Sequence, residues 1–175
     1  MLLETERLLL QPYEWDNLQQ LHAILSDSVT MQFWPAPFTL EQSQRWMRES
    51  LESYESGFGR LGVFHKGDGT LIGDAGLRIT DIDGKREHDL GYIIHEKHWR
   101  QGYGREAASA VLSYGLDKLR LTRICANMPV DHHGSKRVAI ELGMVMEKEF
   151  LNPKNRNIPT YLYVYDALFN ERNGD

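Results

Sequence analysis

Apolar and polar positions recur along this chain in two periods, and each period marks its own elements. Residues 7–11 carry three consecutive leucines before Pro12 and predict a first strand. Beyond it, Leu18, Leu21, His22 and Leu25 recur at spacings of three and four and predict a helix. Asp16 is its expected cap, with Gln19 as capping-box partner. Residues 26–37 hold Phe33, Trp34 and two prolines and read as a loop. Thr39 and Gln42 then open a second helix, whose apolar face is Trp46, Met47, Ser50, Leu51 and Tyr54.

From residue 59 the pattern changes to short apolar runs. Residues 59–65 and 71–79 predict two strands joined by a hairpin turn at 66–70, and 81–87 reads as a polar, charged loop. Residues 89–94 predict a buried strand. After a glycine-containing turn, Ala108, Val111, Leu112, Gly115, Leu116 and Leu119 form the stripe of a helix running from Gly102 to Leu119. Then come a strand at 123–128, a loop at 129–134, a helix at 135–142 stopped by Gly143, and strands at 144–150 and 160–166 around a loop. Residues 170–175 are expected to fray. The order predicts a mixed α/β fold, a mostly antiparallel sheet flanked by helices.

Composition narrows the function classes. A chain of 175 residues fits one domain, with a core at about residues 5–166, and 41% hydrophobic residues are too many for a disordered tail. A formal charge of −5 argues against a protein that coats nucleic acid. The one cysteine, Cys125, has no partner for a disulfide and lies in an apolar run, as a buried inert thiol does. No stretch approaches the ~18 apolar residues of a membrane helix, and no leader pattern opens the sequence. The expected compartment is the cytoplasm.

The chemistry concentrates at residues 100–105. Gly102 and Gly104 let the backbone approach a ligand, and a helix start offers unpaired amides. With Arg100 and Arg105 beside them, these groups suit a phosphate. Gly102-x-Gly104-x-x-Ala107 also satisfies a dinucleotide fingerprint. That motif wants a strand running straight into the glycines and an acidic residue at the end of the second strand. Residues 95–101 intervene here, and the second strand ends at Met128-Pro129. His132 and His133 are adjacent and point differently, with no carboxylate pair or cysteine to complete a metal site, so no metal is expected.

Residues 90–107 resemble the acyl-CoA-binding signature of the GNAT N-acetyltransferases. Its Gln/Arg-x-x-Gly-x-Gly/Ala frame reads Trp99-x-x-Gly102-x-Gly104 here. Trp99 departs from the superfamily pattern but is similar to the RimJ/RimL-like branch, the ribosomal-protein N-terminal acetyltransferase type. Gly91-Tyr92, Gly102-Tyr103-Gly104, Glu106-Ala107 and the opening Thr5-Glu6-Arg7-Leu8-Leu9-Leu10 resemble that branch too. A second family frame, Asn-x-x-Ala/Ser followed by tyrosine and Leu-Gly-Phe, reads His132-x-x-Ser135, Ala139, Leu142-Gly143-Met144. The resemblance covers residues 5–166.

The resemblance implies the GNAT fold, in which the strand ending at Ile94 and the strand starting at Arg123 splay to admit a pantetheine arm. It implies acetyl-CoA as co-substrate, a primary amine as acceptor and direct transfer with no acyl-enzyme. Coenzyme contacts fall on Ile93, Ile94, Arg100, Gln101, Gly102, Tyr103, Gly104, Arg105, His132 and Ser135. The amides near Ile93 and Ile94 would receive charge on the thioester oxygen. Ala139 stands where the family's thiolate-protonating tyrosine is usual. Ser135 is the substitute acid, or else only a helix cap. Asp89 is the foremost base among Asp89, Glu87, His88 and Asp74, or else a charge at a strand end. Phe33, Trp34 and Trp46 either line the acceptor pocket or belong to the core. The acceptor stays open among a ribosomal-protein N-terminus, another peptide, a polyamine and an amino-sugar. The rival reading is a non-catalytic CoA-binding domain of the same fold.

Overall fold

Eight strands form one sheet in the order β1-β2-β3-β4-β5-β6-β8-β7. The computed structural model describes residues 1–168, so the fraying expected of residues 170–175 lies outside the described residues. The strands are β1 (Leu3–Glu4), β2 (Leu8–Gln11), β3 (Arg60–His65), β4 (Leu71–Ile82), β5 (Lys85–Ile94), β6 (Arg123–Pro129), β7 (Val145–Asn152) and β8 (Ile158–Asp166). The helices are α1 (Leu18–Leu25), α2 (Leu40–Ser53), α3 (Tyr103–Asp117) and α4 (His133–Glu141). Neighbouring strands run antiparallel except β5 and β6, which are parallel.

The two-residue period of the strands sends successive side chains to opposite faces, and each face has its own core. On one face α3 sets Ala107, Ala108, Val111 and Leu112 against Leu8, Leu61, Leu77 and Leu90. On the other, α1 and α2 set Leu21, Leu25, Trp46 and Met47 against Tyr13, Phe64 and Ile93. Leu21 and Met47 have no exposed surface, and burying such a side chain contributes about 1.5–3 kcal/mol. Thr39 and Gln42 close a reciprocal capping box at the start of α2, as their spacing implied.

Three local expectations need correction. Residues 81–87 are not a loop. β4 runs on to Ile82 and β5 starts at Lys85, so only Asp83 (φ 50°) and Gly84 (φ 79°) turn the chain. Positive φ at both positions makes a tight Asp-Gly hairpin, a signal present in the sequence but masked by the polar strand ends around it. Asp16 does not cap α1. A 3-10 turn at Trp15–Asn17 precedes the helix, and Glu14 N–H donates to Asn17 Oδ1 at 2.8 Å. The fourth helix starts at His133 rather than at Ser135, and His132 Nδ1 accepts from the Ser135 amide at 3.4 Å. Ser135 is therefore not the cap of α4.

Candidate functional site

β5 and β6 share a single register pair, Asp89 with Cys125, and part beyond it. Below the fork Arg123 of β6 holds Glu87 of β5, with Nη2 to Oε1 at 2.9 Å, and also reaches Glu147 at 2.8 Å. These contacts close the lower end and leave the upper end open. A cleft of about 510 Å³ fills the opening, with Asp89, Tyr92, Asn127, Met128, His132 and Ser135 among its walls.

The amides of β5 divide between its two sides. His95 N–H donates to Ile72 O of β4 at 2.9 Å, whereas Ile94 O accepts from Trp99 Nε1 at 2.6 Å. Alternation along a strand then turns the Ile94 and Tyr92 amides toward the fork and the Ile93 amide toward β4. The Trp99 bond also shows what that residue does: it pins the turn after β5 against the strand end.

That turn enters α3 in left-handed backbone, with Arg100 at φ 60° and Gly102 at φ 84°. Gly102 is the N-cap and gives the helix no side-chain cap. Glu106 N–H bonds to Gly102 O at 3.0 Å, so the amides of residues 103–105 precede the first intrahelical bond. They are the positive end of a 15-residue helix. Arg7 braces the turn from behind: its Nη1 donates to Gln101 O at 2.9 Å and its Nε to Glu106 Oε2 at 2.7 Å. Arg7 also lies 4.4 Å over the Tyr103 ring. Gly104 is packed tightly, since a Cβ there would come within 2.8 Å of Tyr92 Cε2. The Arg105 guanidinium is exposed and reaches Glu141 at 3.6 Å.

Asp89 sits in mid-strand and buried, not at a strand end. Asn127 Nδ2 donates to its Oδ1 at 3.0 Å, and Arg78 Nη2 lies 3.5 Å from its Oδ2. Burial raises its pKa above the usual carboxylate value, against the opposing charges of Arg78 and Arg60 and the Asn127 bond. On the α3 side of the sheet, burial raises the Tyr92 phenol, and the neighbouring Ser135 side chain partly offsets the rise. Ala139 is buried nearby among Ala126, Met128 and Tyr163, so the apolar patch fills the place of a tyrosine.

His132 is half-buried. Its ring stacks on Phe33 at 3.8 Å between centroids, and burial pulls its pKa down to about 4. Asn155 Nδ2 donates to Phe33 O at 2.8 Å, so three loops meet over the cleft. Among the described residues no group of three or more His, Cys, Asp or Glu could hold a metal ion. No helix among them is long and apolar enough to cross a membrane.

Two arginines of the cleft, buried Arg60 and half-exposed Arg78, escaped the sequence reading. Arg60 Nε donates to Asp74 Oδ1, and Asp74 Oδ2 accepts from Tyr13 Oη and from Trp46 Nε1 at 3.0 Å. The guanidinium carbons of Arg60 and Arg78 lie 5.3 and 4.9 Å from the centroid of the Trp46 ring. It belongs to both the core and this network. Nothing in a 3.6- or 2-residue period marks a charged residue as buried; only the register could have paired Arg60 with Asp74.

The family model for the acetyltransferase (GNAT) domain matches residues 7–145. This chain belongs to the GNAT acetyltransferase family, and its relatives carry the name N-acetyltransferase. The uncharacterized N-acetyltransferase YoaA of Bacillus subtilis is 30% identical over 149 residues, 83% of this chain and 84% of that one. A GNAT-family acetyltransferase structure from Bacillus anthracis superposes with a TM-score of 0.82 at 26% identity, covering 96% of this chain and 99% of that one. RimL, a ribosomal L7/L12 alpha-N-protein acetyltransferase solved with coenzyme A, shares the fold with a TM-score of 0.78 at 13% identity, covering 95% and 98%. The protein is thus an acetyltransferase of this fold.

Proposed function

We propose that this enzyme, acting as a single domain in the cytoplasm, moves the acetyl group of acetyl-CoA directly to a primary amine, in the manner of the RimJ/RimL-like branch. One observation carries this reading: the β5–β6 fork has an uncapped helix start at one end and a buried carboxylate, Asp89, on its wall. The amides at 101–105 suit the pyrophosphate, and Arg100, Arg105 and Gln101 border that turn. The Ile94 and Tyr92 amides face the place where a thioester oxygen gains charge. His132 and Ser135 line the pantetheine side.

An unperturbed alkylamine is mostly protonated at neutral pH and must lose that proton to attack. Asp89 takes it, directly or through water. The nitrogen lone pair forms a bond to the acyl carbon, the carbon–sulfur bond breaks, and its electron pair leaves with sulfur. Ser135, backed by the Tyr92 phenol, passes a proton to the thiolate and regains one from the proton that the acylated nitrogen sheds, while Asp89 returns its own proton to solvent. The products are an N-acetyl amine and free coenzyme A.

Release of free thiol from acetyl-CoA, measured against a panel of peptides, amino acids, polyamines and amino-sugars, tests the reading. Thiol appearing in step with N-acetyl product supports it. Coenzyme binding without release for every amine supports the non-catalytic rival, to which the alanine at 139 lends weight.

A further inference from the structure

The face of the sheet beneath α1 and α2 sets Asp74, Arg60, Arg78 and Asp89 in three neighbouring rows. Strand register fixes that order. Arg60 pairs with Gly76, and Gly76 with Gly91, so these three share one row across β3, β4 and β5. Asp74 lies in the row on one side, and Arg78 with Asp89 in the row on the other. Gly76 and Gly91 have no side chains, so the Arg60 side chain lies flat across the sheet. A Cβ at Gly91 would collide with its Nη1. Arg60 therefore brings its guanidinium from β3 to the strand that borders the fork, although its side chain is only 3% exposed.

Not every donor on this floor is used. Asp74 takes Arg60 Nε, Tyr13 and Trp46. Arg60 Nη2 touches Asp74 as an ion pair, without hydrogen-bond geometry, and Arg78 Nε is buried with no hydrogen-bond partner. Both arginines line the cleft. The Arg78 side chain is 37% exposed where it borders the cleft, so its outer donors can meet a substrate acceptor atom. Arginine donors are arranged to hold a carboxylate by two parallel bonds.

We infer that Arg60 and Arg78 form a carboxylate subsite beside Asp89, so that the acceptor is a small amine of the α-amino-acid class. The inference rests on the acetyltransferase reading above and narrows its acceptor. A zwitterion matches the floor: its ammonium meets Asp89 and its carboxylate meets the flanking guanidinium groups. A polyamine finds less. The remaining acids at the cleft mouth are engaged, Asp83 by Lys148 Nζ at 2.6 Å and Asp81 by the Gly84 amide at 3.1 Å. Phe33, Trp34 and Phe38 line the same cleft and suit an apolar side chain.

The test compares thiol release with the common L-amino acids, their C-terminal amides and the matching decarboxylated amines. At least one amino acid should be acetylated with kcat/KM ten or more times that of its amide and its decarboxylated form. The Arg78→Met variant, whose site is half-exposed, should bring that ratio toward one, and Arg78→Lys should restore part of it. If the amides or decarboxylated amines match or exceed the acids, the inference falls while the acetyltransferase reading stands. If Arg78→Met leaves the ratio unchanged, the inference falls too. If no amine of any kind releases thiol, the acetyltransferase reading falls, and this inference with it.

Discussion

Asn127 Nδ2 donates to Asp89 Oδ1 at 3.0 Å, a bond from β6 to β5 at the point where the two strands part. It joins the expected base to the expected coenzyme channel and favours the charged carboxylate, while burial opposes it. Asp89→Asn should lower kcat by about 10²–10⁴-fold with acetyl-CoA affinity nearly unchanged. Steady-state kinetics beside calorimetric coenzyme binding check this. An affinity loss as large as the rate loss would count against a base.

The same bond has a pH consequence. The raised pKa of Asp89 is expected to set the acid limb of the rate profile, because only the ionised carboxylate accepts the proton. Asn127→Ala removes a bond that stabilises the charge and should move that limb to higher pH. A limb that stays in place, or moves to lower pH, would assign it to another group.

At the glycine turn, main-chain geometry should outweigh side-chain charge. Gly104→Val drives a side chain into Tyr92, whereas Arg105 reaches only Glu141 from an exposed position. Coenzyme A affinity should fall about tenfold or more in Gly104→Val and less than about threefold in Arg105→Ala. Fluorescence or calorimetric titration decides, and a greater loss in the arginine variant would reverse the assignment.

The clamp below the fork sets acid stability. Glu87 is buried, and burial alone would raise its pKa; bonds from Arg123 and Lys85 outweigh that and lower it from 4.5 to about 2. A depressed carboxylate contributes stability above its unfolded pKa and loses it as pH falls through the folded value. Glu87→Gln should therefore cost up to about 3 kcal/mol at pH 7 and almost nothing near pH 2. Denaturant unfolding at both pH values measures the difference. An equal cost at each would rule out an ionic origin.

Much of this was written in the apolar pattern. The two helix stripes, the capping box at Thr39 and Gln42, and the strand before the glycine turn all follow from periods and local chemistry. The Asp83-Gly84 hairpin was missed because most residues of the strand ends beside it are polar, although Ile82 is buried. The cap of α4 was missed because histidine is an uncommon N-cap. The buried Arg60–Asp74 network depends on which strands are neighbours, and a linear sequence does not state that. Trp99 was matched to a family pattern, but its bond to Ile94 O became visible only when the turn folded back on β5. The fork came from the resemblance alone, as periodicity carries no record of where two strands separate.

A crystal structure with bound coenzyme A is the most direct measurement. The pyrophosphate should lie within about 3 Å of amides between residues 101 and 105, with the pantetheine arm between β5 and β6 and its sulfur near Asp89, Tyr92 and Ser135. Coenzyme bound elsewhere on the molecule, with the fork empty and the α3 amides unliganded, would contradict the proposed site.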